Sequence, residues 1–241
     1  MPRYRMVIEY DGTAFAGWQL QPKERTVQGE LEKALHSILK EEIRVTGAGR
    51  TDAGAHAQGQ VAHFDAVRSP NGINWAKALN SILPEDVVVR EVTEVPNGFN
   101  ARFDAKSRTY QYRIHLGPTA LGRAHSWTVF YELDFSLLER CAALLPGQHD
   151  FSAFCSEEER DKREAAVFEA GWKKEGGVLC FEITASRFLR GMVRMLVGTM
   201  VEVSRGFLSL EAFQKLLQNP EGKKGGPLAP AAGLFLMRVE Y

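Results

Sequence analysis

The groups best suited to chemistry are concentrated in Gly47-Ala48-Gly49-Arg50-Thr51-Asp52-Ala53-Gly54-Ala55-His56. Three glycines within eight residues surround an arginine and an aspartate two positions apart. Such a loop lets backbone and ligand approach closely while presenting both charges from one place. A phosphate cradle is the first reading to test, and it fails on detail. The sixth position of a G-x-G-x-x-G pattern would be Asp52, whose charge repels phosphate, no Gly-Lys-Ser/Thr follows, and the next residues read as a strand rather than a helix. Two readings remain: a tight turn in which Asp52 bonds to neighbouring N–H groups, or a reactive carboxylate held beside a cation.

Two other segments carry candidate groups. In a strand over Arg108–Ile114, alternation puts Arg108, Tyr110, Tyr112 and Ile114 on one face. Tyrosines there are either ordinary strand formers or a stacking surface for a base. A helix expected from Phe188 to Val203 carries Phe188, Leu189, Met192, Val193 and Leu196 on one broad side. At about 100° per residue, Arg187, Gly191, Arg194 and Gly198 would fall within roughly 60° of each other on the other side. Glycines flanking an arginine allow close approach of another chain or a ligand. Arg187 and Arg190 read as solvated. Metal and nucleophile chemistry find no pattern: there is no C-x-x-C, H-E-x-x-H or G-x-S-x-G, and His56 and His63 read as structural. The expectation is no metal and no cofactor.

Taken together, these segments are specific. Gly-Arg-Thr-Asp-Ala-Gly-x-His resembles the signature of the TruA-type tRNA pseudouridine synthases. Tyr10-Asp11-Gly12-Thr13 with Gly17-Trp18-Gln19 resembles the N-terminal block of that family. Phe103 and Asp104, followed by Arg108-Thr109-Tyr110-Gln111-Tyr112, resemble its Arg-x-Tyr-x-Tyr strand. Phe188-Leu189, Met192-Val193-Arg194 and Gly198 resemble a later helix, and Gly233-Leu234 with Leu236 the last strand. The resemblance covers essentially the whole chain. It implies that Asp52 is catalytic, that Arg50 helps extrude the target nucleotide, that Tyr110 lines the uracil pocket and that Arg194 pairs with Asp52. It further implies a homodimer acting on the anticodon stem-loop of tRNA, at nucleotides 38–40. An arginine beside Asp52 would favour the ionised carboxylate that either a nucleophile or a base requires.

The elements that must position these groups follow an α+β order. Strands are expected at Tyr4–Tyr10, Ile43–Thr46, Gln60–Phe64 and Val87–Val95. Helices are expected after Thr26 and around Ile73–Leu79. This is the β-α-β-β-α-β pattern of ferredoxin-like halves. A second half begins with Arg108–Leu116, continues with a helix capped by Asp134 and strands at Ala166–Lys173 and Val178–Ala185, and ends with helices at Phe188–Val203 and Leu210–Leu217 and a strand at Leu234–Val239. The expected division is 1–104, carrying the Asp52 loop, and 105–241, completing the active-site cleft. The family resemblance implies that the two halves share a central, mostly antiparallel sheet, the pseudouridine synthase fold.

Composition narrows the class. Thirty basic and thirty acidic residues cancel over the 241, but they are unevenly spread. Residues 129–170 carry a net −6, whereas 90–125 and 186–205 each carry +3, which suits a basic cleft on a neutral body. No run reaches the roughly 20 apolar residues of a membrane span. The three separated cysteines, Cys141, Cys155 and Cys180, read as reduced thiols, and a cytoplasmic protein is expected. Two rival functions are a non-catalytic RNA-binding module and a small-molecule enzyme of the same fold. A pure phosphate binder has no use for a carboxylate in its most glycine-rich loop, and a small-molecule enzyme predicts no affinity for tRNA.

Overall fold

The computed structural model describes residues 1–66, 72–156, 162–220 and 222–241. Part of the acidic run within 129–170, residues 157–161, lies outside the described residues. Contacts divide the chain into one unit of Met1–Lys106 with Phe235–Tyr241 and a second of Ser107–Leu234. Each unit combines helices with a predominantly antiparallel sheet, so the α+β class stands.

In the first unit the strands are β1 (Arg3–Tyr10), β2 (Thr46–Gly47), β3 (His56–Asp65) and β4 (Val87–Val95). The C-terminal β10 (Leu234–Glu240) adds its residues from Phe235 onward. The order is β4-β1-β3-β10, with β2 also on β3. β1 runs antiparallel to both β3 and β4, and β10 is parallel to β3 with Phe235 opposite His56. Strict alternation along β1 buries Tyr4, Met6, Ile8 and Tyr10 while Arg3, Arg5, Val7 and Glu9 are less covered. Tyr4 stacks on Phe64 at 5.4 Å and meets Trp75 at 5.2 Å.

Helix α1 (Val27–Leu39) starts where Thr26 accepts the Gly29 N–H, a cap contributing about 1 kcal/mol. It buries Val27, Leu31, Ala34, Leu35 and Leu39 along one side and stops at Lys40, which is left-handed. Helix α2 (Trp75–Asn80) is capped by Asn74. Ile43–Val45, expected as strand, is not one. Its place is taken by side-chain bonding, with Glu32 accepting the Val45 N–H and Gln28 donating to the Val45 carbonyl.

The second unit orders its strands β5 (Ser107–Leu116), β9 (Val178–Ala185), β8 (Glu164–Glu175) and β7 (Gly147–Asp150), all antiparallel, with β6 (Trp127–Val129) parallel to β5. The helices are α3 (Phe135–Ala142), α4 (Met192–Ser204) and α5 (Leu210–Gln218). Its core includes Phe151, Phe154, Phe181, Phe213 and Met200, all essentially without exposure.

One helix differs from expectation in a way that matters. α4 begins at Met192, not Phe188, because Gly191 adopts φ 74° in the left-handed region and stands as its N-cap. Residues 187–189 are therefore not helical, and a turn at Arg190 and Gly191 is closed by Met192 N–H on Leu189 O. Arg187 and Gly191 do not share a helical face with Arg194 and Gly198.

Candidate active site

The Asp52 loop belongs to the first unit and is gripped by the chain that follows β1. Backbone bonds come first: Trp18 N–H donates to Thr51 O at 3.1 Å, Gly54 N–H to Phe15 O at 3.2 Å, and Ala55 N–H to Asp52 O at 3.1 Å. Side chains add to this. The Tyr10 and Thr51 hydroxyls meet at 2.7 Å in a buried pair. Gly12 N–H donates to His56 Nδ1 at 3.0 Å, and Gln60 Nε2–H donates to Gly49 O at 2.9 Å. Asp52 is thus flanked by fixed points on both sides.

The close approach explains two glycines. A Cβ on Gly12 would lie 1.9 Å from Ala55 O, and one on Gly17, whose φ is +100°, would lie 2.7 Å from Thr51 O. The Tyr10–Trp18 segment and the Asp52 loop can touch only because these side chains are missing. His56 is 1 % exposed and stacks on Phe235 at 4.6 Å. Its Nδ1, which the Gly12 N–H meets, is also faced by a carboxylate. Asp11 Oδ1 lies 3.2 Å from the same nitrogen and also accepts from Thr13 N–H and Thr13 Oγ1–H.

Within this frame Asp52 is half-buried and Arg50 exposed. Arg50 and Asp52 lie two apart in the loop, with the buried Thr51 between them. The arginine is therefore the solvent-facing charge of the loop and the aspartate the more covered one.

Tyr110 and Arg194 belong to the second unit. Tyr110 lies on β5 opposite Ile183, is 7 % exposed, and meets Phe188 edge-on at 4.8 Å. Phe188 reaches it from the non-helical segment before α4. Tyr112, two residues on, is fully buried and its hydroxyl donates to Pro230 O at 2.7 Å. Burial pushes its pKa far up against the opposing pull of Arg194, so this tyrosine stays neutral and structural.

Arg194 stands in the first turn of α4 and is clasped by the 225–230 strap. Its Nε–H donates to Ala229 O at 2.7 Å, while Ala229 N–H donates back to Arg194 O at 3.2 Å. One turn on, a Cβ on Gly198 would sit 1.8 Å from Pro227 O. Next to it, Thr199 Oγ1 donates to Met195 O at 2.6 Å and accepts Gly226 N–H at 2.8 Å. The planar guanidinium is therefore oriented through Nε, and the strap sets which way its Nη groups face.

Sequence reading did not find Tyr10, Thr51, His56 and the strap as the parts that hold these groups. The available signal was glycine placement: Gly12 and Gly17 opposite the Asp52 loop, and Gly198 opposite Gly225-Gly226-Pro227.

Comparison with known proteins adds a second, independent line. The sequence matches the family described as tRNA pseudouridine synthase over residues 6–104 and 141–241. It is 42 % identical over 244 residues to the tRNA pseudouridine synthase A of Anoxybacillus flavithermus, covering 100 % of this chain and 99 % of the relative. It is 44 % identical over 245 residues to the tRNA pseudouridine synthase A of Chlorobium phaeovibrioides, covering both chains in full at 100 %. The protein of the same name from Moorella thermoacetica is 42 % identical over 246 residues, again covering 100 % of each.

Proposed function

This chain belongs to the tRNA pseudouridine synthase family, and from that premise we propose that the Asp52 carboxylate isomerises uridine to pseudouridine in the anticodon stem-loop of tRNA, at nucleotides 38–40. In this reaction the bond between ribose C1′ and uracil N1 breaks, the uracil turns, and a bond forms from C1′ to C5. The hydrogen leaves C5 and N1 gains one, so atoms balance without an external group. Asp52 acts in its ionised form, as nucleophile or as base.

The observation that carries this reading is the double grip on the Asp52 loop, with Tyr10 and Trp18 on Thr51 and Phe15 on Gly54. A turn that needed only to reverse the chain would not require two glycines in a neighbouring segment. Preorganisation of this kind is what a reacting group needs, since misplacement by about 1 Å can cost 100-fold in rate. The other groups take supporting roles: Arg50, exposed beside Asp52, holds the displaced backbone during extrusion of the nucleotide. Tyr110 packs against the uracil, and Arg194, oriented through its Nε by Ala229 O, is a further substrate-binding group. The enzyme works in the cytoplasm as a homodimer.

Release of tritium from tRNA labelled with [5-³H]uridine reports the C5 step directly. Asp52→Asn keeps the shape and the hydrogen-bond acceptor but removes the charge. It is expected to bind tRNA as well as the wild type and to lose several orders of magnitude in tritium release. Wild-type release by this variant would dismiss Asp52. A wild-type protein that binds tRNA tightly yet releases no tritium from any tRNA would favour a binding module instead.

A further inference from the structure

Phe103 is 78 % exposed, yet the loop that carries it is densely hydrogen-bonded. Each of six consecutive backbone N–H groups, from Phe99 to Asp104, has an acceptor. Phe99 N–H donates to Pro96 O at 2.9 Å and Asp104 N–H to Asn100 O at 3.0 Å. Asn100 N–H donates to Asp104 Oδ2 at 2.8 Å, and Arg102 and Phe103 N–H both donate to Asn100 Oδ1, at 3.0 and 3.2 Å. Ala101, wholly buried, donates its N–H to His63 Nδ1 at 3.1 Å and accepts from the Tyr241 hydroxyl at 2.7 Å. Arg3 Nη1–H closes the base of the loop on Phe99 O at 2.7 Å.

An apolar ring in water is usually on a segment that can fold it away. Here the backbone is fixed and the ring is held out. Its immediate neighbours in the chain, Arg102 and Asp104, are charged and exposed. The Arg102 guanidinium lies 5.6 Å from the ring centroid. A flat aromatic face with a cation beside it matches the two halves of a nucleotide: the base stacks on the ring and the phosphate meets the guanidinium.

We infer that Phe103, with Arg102 beside it, is a stacking site for an unpaired base of the tRNA substrate. This rests on tRNA being the substrate. Stacking of this kind is sequence-tolerant, because every base has a π-face. The site therefore adds affinity for unstacked RNA without choosing which nucleotide is modified. The rigid loop means that little ordering cost falls on the protein when the base arrives.

The experiment compares wild type, Phe103→Leu and Phe103→Trp for binding to a tRNA transcript and to a fully paired RNA duplex. Leu keeps the apolar bulk and removes the π-face. It is expected to weaken tRNA binding on the order of ten-fold, leave duplex binding unchanged, and leave the melting temperature where it was. Phe103→Trp is expected to retain tRNA affinity, and the emission of its added indole to be quenched as tRNA saturates the protein, beyond the change seen in wild type. Wild-type affinity in Phe103→Leu, together with no added quenching in Phe103→Trp, overturns the site. A change in oligomeric mass for Phe103→Leu, with tRNA affinity intact, assigns the ring to self-association and overturns it too. If wild type itself fails to bind tRNA, the substrate reading falls and this inference with it, a result distinguishable from the first two.

Discussion

The hydroxyls of Tyr10 and Thr51 lie 2.7 Å apart, both side chains buried, and Thr51 is the residue immediately before Asp52. The pair ties the end of β1 to the loop at the point where a small rotation of the backbone would swing the carboxylate. Tyr10→Phe removes one oxygen and deprives the buried Thr51 hydroxyl of that partner, which costs about 1–3 kcal/mol. The positioning role predicts more than lost stability. At a temperature where the variant is fully folded, kcat falls about ten-fold or more while the KM for tRNA stays near the wild-type value. Thr51→Ser, which keeps the hydroxyl, retains most of kcat, and Thr51→Val does not. Equal kcat in Thr51→Val and wild type would show that the pair serves stability alone.

How much of this was legible beforehand follows a physical divide. The elements set by local chemistry were readable: α1 begins after its Thr26 cap, and β4 and β9 run over Val87–Val95 and Val178–Ala185 as their patterns require. Asp52 and Arg50 stood out because three glycines in a short stretch are locally unusual. The start of α4 was misplaced because Phe188 and Leu189 continue a helical apolar period, while the left-handed Gly191 that breaks it is one glycine among many. β6 and β7 were not found at all. They have three and four residues, and Gly147-Gln148-His149-Asp150 has no apolar alternation to read. The Tyr10–Thr51 and Arg194–Ala229 bonds join residues 41 and 35 apart, and no local pattern marks such partners.

Gly198 is where the strap over α4 has no clearance. A methyl group there would stand 1.8 Å from Pro227 O, and the facing atom is backbone, not a yielding side chain. Gly198→Ala is therefore expected to displace the 225–230 strap even though alanine is the better helix former by about 1 kcal/mol. Overpacking of this sort costs about 1–3 kcal/mol. Because Ala229 O holds Arg194 Nε, the displacement should also lower kcat. Thr199→Val, which removes the acceptor for Gly226 N–H, should act in the same direction more mildly. Denaturant melts read the first effect and single-turnover tritium release the second. A Gly198→Ala protein that melts later than wild type would refute the close approach.

His63 gives the protein an acid sensitivity with a definite sign. It is 6 % exposed and accepts the Ala101 N–H on Nδ1. Burial, and then the nearby Arg3 charge, lowers its pKa, while Asp65 and Asp104 pull the other way. The folded protein thus resists a proton that the unfolded chain accepts near the ordinary value of about 6.5. Its stabilising contribution is fully present above that value and is lost as pH falls from there toward the depressed folded pKa. Melting temperature should fall as pH drops below the ordinary histidine value of about 6.5. His63→Asn places an oxygen where Nδ1 was and cannot be protonated, so its melting curve should depend less on pH over that range. An unchanged slope in the variant would assign the sensitivity elsewhere.

Substitution of Arg50 is expected to separate binding from extrusion. The residue is exposed, on the same loop as Asp52 and separated from it only by the buried Thr51. A single exposed cation contributes one of several phosphate contacts, so Arg50→Ala should change tRNA affinity only a few-fold at physiological salt. Its larger effect should be on the step that takes the uridine out of the stack. That step costs a few kcal/mol for a paired base and less for one already mispaired. The variant is therefore expected to lose roughly 100-fold in the rate of tritium release from a tRNA whose target uridine is paired, by analogy with the loss of a positioning group. The same variant should recover a substantial part of that loss when the target uridine faces a mismatch, whereas Asp52→Asn should recover none. Measuring both variants on paired and mispaired substrates, with tRNA binding checked in parallel, distinguishes the two roles. If Arg50→Ala is slowed equally on both substrates, Arg50 acts at the chemical step and the extrusion role is wrong.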